Sequence, residues 1–205
     1  MEPTVAAFDV DGTLTVRDCV LPYLWKVGGA RGALRALFSS PVLLLRSVAR
    51  RDRDALKAHF VRSFLRGVPV ETAERAGEEF AARVASGWMR GDVASRLRAH
   101  QDAGDVVVLV SASLSPYLEP LGELLEVDAV MCTRLESVDG VLTGGLLGPN
   151  CRAAEKARRL EEWAASSGLS GDAWLGHAYG DSSGDTEMLQ SAVVGTDVSR
   201  RGWEQ

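Results

Sequence analysis

Val5-Ala6-Ala7-Phe8-Asp9-Val10-Asp11-Gly12-Thr13-Leu14-Thr15 is the stretch on which the reading of the chain turns. A short apolar run ends in two aspartates with one residue between them, and Gly12-Thr13 then turns the backbone. Such a run reads as a buried strand, and open α/β sheets place their ligand sites at the C-terminal ends of strands. Residues two apart on an extended chain face the same way, so Asp9 and Asp11 can enter one pocket. Carboxylates held that close repel each other, and a divalent cation or a shared proton relieves the repulsion. The same residues also fit a strand followed by an ordinary Asp-Gly turn. Later stretches decide between chemistry and turn.

A chain of 205 residues has room for one good core plus a small cap. Its composition, 46% hydrophobic and 25% charged, is that of an ordinary globular protein. The net charge of −5 argues against general nucleic-acid binding. Asp9 and Asp11 interrupt what would be the apolar region of a signal peptide, so none is expected. Ten uncharged residues, Pro41 among them, lie between Arg35 and Arg46, about half of the roughly 20 that span a bilayer. Cys19, Cys132 and Cys151 are odd in number and far apart, which predicts neither a disulfide framework nor a zinc site. A cytoplasmic protein is expected.

Residues 18–98 carry helical periodicity, with Leu34, Leu37 and Phe38 on one spacing and Leu56, Phe60, Phe64 and Leu65 on another. Pro41 and Gly67-Val68-Pro69 interrupt it. From residue 105 strands and helices alternate. Val106–Val110 reads as a strand buried on both faces, 116–125 as a helix, 128–133 as a strand, and Gly140 with Gly144-Gly145 as a small hairpin. A helix over 153–166, a strand over 173–179, a helix over 186–190 and a strand over 192–198 follow. This alternation predicts an α/β fold with a doubly wound parallel sheet, into which a helical cap is inserted. The expected division is 1–16 and 99–205 for the core and 17–98 for the cap. His177 reads as a packed residue, while His59 and His100 fall on helices without partners nearby in sequence.

Asp9-Val10-Asp11-Gly12-Thr13 resembles the first motif of the haloacid-dehalogenase-like phosphatases. Val108-Leu109-Val110-Ser111, Lys156 and Gly180-Asp181-Ser182-Ser183-Gly184-Asp185 then match the later motifs in the family's order. The resemblance is closest to the phosphoserine-phosphatase branch with a helical cap. It implies that Asp9 is the nucleophile of an aspartyl-phosphate mechanism and Asp11 the general acid and base. It also implies Mg²⁺ on Asp9, the Asp11 main-chain carbonyl and Asp181, with Asp185 in support. Ser111, the backbone after it at Ala112, and Lys156 would hold the phosphate. Taken alone, Asp185 equally suits a helix cap, Ser111 a strand-ending turn, and Lys156 a solvated helix face. Gly184 stands where phosphoserine phosphatases carry Asn, and Ala112-Ser113 where they carry Gly-Gly.

Asp18 corresponds to the acidic residue that meets the substrate's amine in those enzymes; the alternative is a solvated start to the cap. A cap arginine expected ahead of Phe64-Leu65-Arg66-Gly67-Val68-Pro69 aligns with Val61, which leaves Arg62 as the candidate. Residues 31–66 hold nine Arg or Lys against two Asp, next to the apolar segment Leu37–Leu45. That surface would attract anionic substrates or rest on acidic lipid, or else form a solvated arginine face. The expected function is a Mg²⁺-dependent phosphomonoester hydrolase acting on a small phosphorylated metabolite. The alternatives are a phosphotransferase, a lipid-phosphate phosphatase, and a non-catalytic binding module that uses the basic cap. A small-molecule phosphomonoester is the expected partner, with no transmembrane segment and with peripheral membrane contact left open.

Overall fold

The alternation of strands and helices resolves, in the computed structural model, into seven strands and seven helices among the described residues, 4–39, 53–169, 173–200, 202 and 203. The strands are β1 (Val5–Phe8), β2 (Val106–Leu114), β3 (Ala129–Thr133), β4 (Leu135–Val138), β5 (Val141–Leu146), β6 (Leu175–Gly180) and β7 (Val194–Asp197). The helices are α1 (Val20–Ser39), α2 (Arg53–Leu65), α3 (Val70–Gly87), α4 (Gly91–Ala103), α5 (Ser115–Leu124), α6 (Ala154–Ser166) and α7 (Thr186–Ser191). Five strands form a parallel sheet in the order β3-β2-β1-β6-β7, with β1 at its centre.

Burial on both faces explains why these strands read as continuous apolar runs. Along β1 the side chains alternate between two apolar clusters. Ala6 and Phe8 pack with Val93 and Leu97 of α4 and Leu118 and Leu121 of α5. Val5 and Ala7 pack on the other face with Leu160 of α6 and Met188 of α7. The fold is therefore the doubly wound α/β sheet that the alternation predicts. Asp9, two residues beyond Ala7, follows the face that α6 covers.

Along the chain, helices α1, α2 and α3 are inserted between β1 and the α4–β2 segment that returns to the sheet. Their entry and exit run side by side: Thr15 pairs with Met89 in an antiparallel bridge. The Val16 N–H donates to the Trp88 carbonyl at 2.9 Å, and the Arg90 N–H donates to that of Leu14 at 2.8 Å. Hairpin β4–β5 grips the connection between α2 and α3, where the Val70 N–H donates to Gly140 O and the Leu142 N–H to Val68 O, both at 2.9 Å. Tyr23 of α1, Phe80 of α3 and Tyr117 of α5 meet with ring centroids 4.9 to 5.9 Å apart, which seats the inserted helices on the sheet domain.

His100 departs from expectation. Its Nδ1 lies 2.7 Å from Asp105 and its Nε2 2.9 Å from the Tyr179 hydroxyl, so a helix end, a loop and β6 are tied together beneath β1. Cys19, Cys132 and Cys151 are buried and unbridged. Among the described residues no helix is long and apolar enough to cross a membrane. Residues 40–52, with most of the Leu37–Leu45 segment and three of the cap arginines, lie outside the described residues.

Candidate active site

The chain leaves β1 through a wide turn over Val10–Leu14, closed by a bond from the Thr15 N–H to Val10 O at 2.9 Å. Gly12 adopts φ +87° there, a conformation glycine reaches without a Cβ penalty. A Cβ on Gly12 would stand 2.4 Å from Asp181 Oδ2, so glycine also admits the second acidic segment.

Asp9 is only 6% exposed. Its Oδ1 accepts from the Lys156 ammonium at 2.6 Å and its Oδ2 from the Thr13 hydroxyl at 2.8 Å. Lys156, 2% exposed, also donates to Asp185 Oδ1 at 2.6 Å. Asp185 Oδ2 in turn accepts from the Ser182 N–H and hydroxyl. Burial pushes the Lys156 pKa down, but the carboxylates of Asp9 and Asp185 outweigh it and hold the ammonium above its ordinary value. Lys156 occupies the buried stripe of α6 together with Leu160 and Ala164, a strange place for a solvated lysine.

Asp181 follows directly on β6, half-buried, with Oδ1 3.3 Å from the Thr13 hydroxyl. Burial, then the charges of Asp9 and Asp185, push its carboxyl above the usual range. One carboxylate oxygen from each of Asp9, Asp181 and Asp185 lies within 4.8 Å of the others. Three hard anionic oxygens of partly unrelieved charge, opening on a cavity, form a donor set that suits Mg²⁺.

Asp11 faces the opposite wall. Its Oδ1 accepts from the Cys19 N–H at 2.8 Å and its Oδ2 from the Ser113 hydroxyl at 2.6 Å. Ser113 itself accepts from Tyr117 at 2.8 Å. Burial, then the charge of Asp18, push the Asp11 carboxyl up to about 7 despite the Ser113 and Cys19 hydrogen bonds. A carboxyl in that range exchanges protons near neutral pH.

Asp9, Asp11, Asp18, Ser111, Ala112, Lys156, Asp181 and Asp185 all line one cavity of about 500 Å³. Ser111 is buried, its hydroxyl 3.1 Å from the Ser113 N–H. Asp18 caps the start of α1 by accepting from the Leu21 N–H at 3.1 Å while facing the cavity. Arg62 is not brought to the site. It is exposed on the hairpin side of α2, where a Cβ on Gly144 would come 2.9 Å from its Cα.

Lys57 reaches the cavity from α2 instead. Its ammonium donates to the carbonyl of Ala112, to Thr133 Oγ1 at 3.1 Å and to Asn150 Oδ1 at 2.6 Å. Asn150 donates to Asp54 of the same helix at 2.6 Å. Burial lowers the Lys57 pKa to about 8, against the pull of Asp11 and Asp54. A residue of the inserted helices thus holds the strand end that carries Ser111 and Ala112. Arg152 also lines the cavity, with its Nε 3.0 Å from where a Gly184 side chain would begin. Lys57, Asn150, Ser113, Thr13 and Arg152 escape sequence reasoning.

Ala153, just ahead of α6, has φ +54° and donates its N–H to Gly184 O at 2.8 Å. That backbone is strained for an alanine. Ala153→Gly is expected to stabilise the protein by about 1 kcal/mol, read as a rise of roughly 2–4 °C in Tm.

The sequence profile of the haloacid dehalogenase-like hydrolases matches residues 6–190, and the chain belongs to that family. Protein CicA of Caulobacter vibrioides is 41% identical over 192 residues, which cover 93% of this chain and 84% of CicA. A Bordetella pertussis protein of unknown function superposes with a TM-score of 0.72 at 25% identity, over 92% of this chain and 87% of that one. Phosphoserine phosphatase in its apo form superposes with a TM-score of 0.64 at 21% identity, over 96% and 85%. The fold of this family member is thus one that it shares with phosphoserine phosphatase.

Proposed function

We propose that the protein is a Mg²⁺-dependent phosphomonoester hydrolase with Asp9 as its nucleophile. The observation that carries this reading is the position of Asp9, a buried carboxylate held between Lys156 and Thr13 at the floor of a cavity shared with Ser111, Asp11 and Asp181. An Asp9 oxygen attacks phosphorus while the ester P–O bond breaks, and Asp11 gives its proton to the departing alcohol. Asp11 then takes a proton from water, whose oxygen attacks the same phosphorus. The bond to Asp9 breaks and inorganic phosphate leaves. Ser111, the Ala112 main chain and Lys156 hold the phosphoryl oxygens as charge redistributes over them. Asp9 and Asp181, braced by Asp185, would hold the Mg²⁺, which neutralises charge on the phosphoryl group.

Helices α1–α3 serve as the cap, hinged where Thr15 and Met89 run together, and Lys57 ties the cap to the phosphate-binding strand end. A closed cap keeps bulk water from the aspartyl-phosphate.

The test is phosphate release from a panel of phosphomonoesters, with Mg²⁺ and with EDTA. Release that needs Mg²⁺ and falls by at least about 100-fold in Asp181→Ala is the expected result, given the several kcal/mol that a metal's charge supplies. EDTA-insensitive release would refute the metal requirement. No release from any ester by folded protein would refute the hydrolase reading.

A further inference from the structure

The floor of the cavity is polar, but the wall that the inserted helices supply is not. Val20, Leu21 and Leu24 of α1 and Leu56 and Phe60 of α2 line it. The charged groups beside them each already hold a hydrogen bond. Lys57 donates to Ala112, Thr133 and Asn150, Asp54 accepts from Asn150, and Asp18 accepts from the Leu21 N–H. Against those five apolar side chains the hydroxyls or charges of a small polar alcohol would find no partner, at a cost in affinity. The apolar lining also continues outward. Leu21 at the rim is 49% exposed, and Trp25, one helical turn on, is 57% exposed. The Trp25 ring lies 6.4 Å from that of Phe64, which is itself 6.4 Å from that of Phe60.

We propose that the alcohol part of the substrate is an aliphatic chain, seated against Leu21, Leu56 and Phe60 while its phosphate rests at Asp9. This substrate class rests on the phosphohydrolase reading above. The chain requirement is the same whether the ester is free in solution or lodged in a bilayer.

The experiment is kcat/KM, with Mg²⁺, for n-alkyl phosphates from ethyl to octyl below their micelle concentrations, beside glycerol 3-phosphate and phosphoserine. Each methylene buried in the transition state is expected to raise kcat/KM by up to roughly fourfold, the factor that ~0.8 kcal/mol per CH₂ gives. The rise ends where a cavity of about 500 Å³ is full. A flat or falling series, with glycerol 3-phosphate or phosphoserine preferred, overturns the proposal and leaves the hydrolase reading standing. Release from none of these esters overturns both. Leu21→Asp and Phe60→Asp carry the second arm, and each should cut the hexyl-to-ethyl ratio at least tenfold. Leu21 is half exposed, so its change tests the wall without emptying the core. An unchanged ratio in folded Leu21→Asp and Phe60→Asp overturns the assignment of that wall. In the third arm, 1-acylglycerol 3-phosphate is presented in phosphatidylcholine vesicles. Turnover above that of glycerol 3-phosphate makes the bilayer the source, whereas a gain confined to free short-chain esters makes it solution, and either upholds the chain requirement.

Discussion

Asp9→Asn is expected to abolish phosphate release, with kcat falling by at least about 10⁴-fold, the scale on which removal of a covalent nucleophile acts. The change keeps a carbonyl oxygen in place to accept from Lys156, which donates to Asp9 Oδ1 at 2.6 Å in the native protein. It also removes one of the three crowded carboxylates. Folding should therefore survive, and the Tm should stay near that of the wild type. An amide cannot form the acyl phosphate, so the loss should appear in kcat rather than in KM. A variant that retains more than about a hundredth of the wild-type rate would show that Asp9 is not the attacking group.

Lys156→Met carries the second large effect, and it falls on stability as well as turnover. The ammonium is 2% exposed and lies 2.6 Å from both Asp9 and Asp185. Methionine fills most of the space but leaves two buried carboxylates without their shared cation. Breaking a buried pair from one side costs about 3–5 kcal/mol, or roughly 10 °C in Tm for a chain of this size. Urea unfolding of the single variants and of Asp9→Asn/Lys156→Met measures the coupling. The double variant should be less destabilised than the sum of the two singles, because it strands fewer charges. Additivity would mean that Lys156 is held by packing alone.

The acidic framework was legible because it is local. Asp9 and Asp11 announce themselves by spacing at the end of an apolar run, and Asp181 stands at the end of another. Lys156 was legible only through the family resemblance, since a lysine on a helix rich in Ala and Arg reads as solvated; the fold places it on the same buried stripe as Leu160 and Ala164. Lys57 gave no such sign. It sits in a segment crowded with arginines, and its partners Ala112, Thr133 and Asn150 are between 55 and 93 residues away along the chain. Arg62 drew attention through the pattern that follows it, yet five helical residues from Lys57 amount to about 500°, which leaves the two roughly 140° apart around α2. Ser113 looked like a loss of glycine, and only the fold reveals it as the donor to Asp11.

The strand that leads into Asp9 is the first of the described strands and the middle of the sheet. Val5 registers with Val106 on one side, and Ala6 with His177 on the other. During synthesis β1 therefore emerges long before either neighbour. Contacts that far apart in sequence are slow to form, because a long loop must close before they repay it. Until then the residue proposed to attack phosphorus hangs on an unpaired segment, without the lysine that flanks it or the acidic groups it works beside. A nascent chain without β6 thus lacks one of the two strands that hold β1 in place, and any truncation that removes β6 is expected to unseat Asp9 as surely as deleting it.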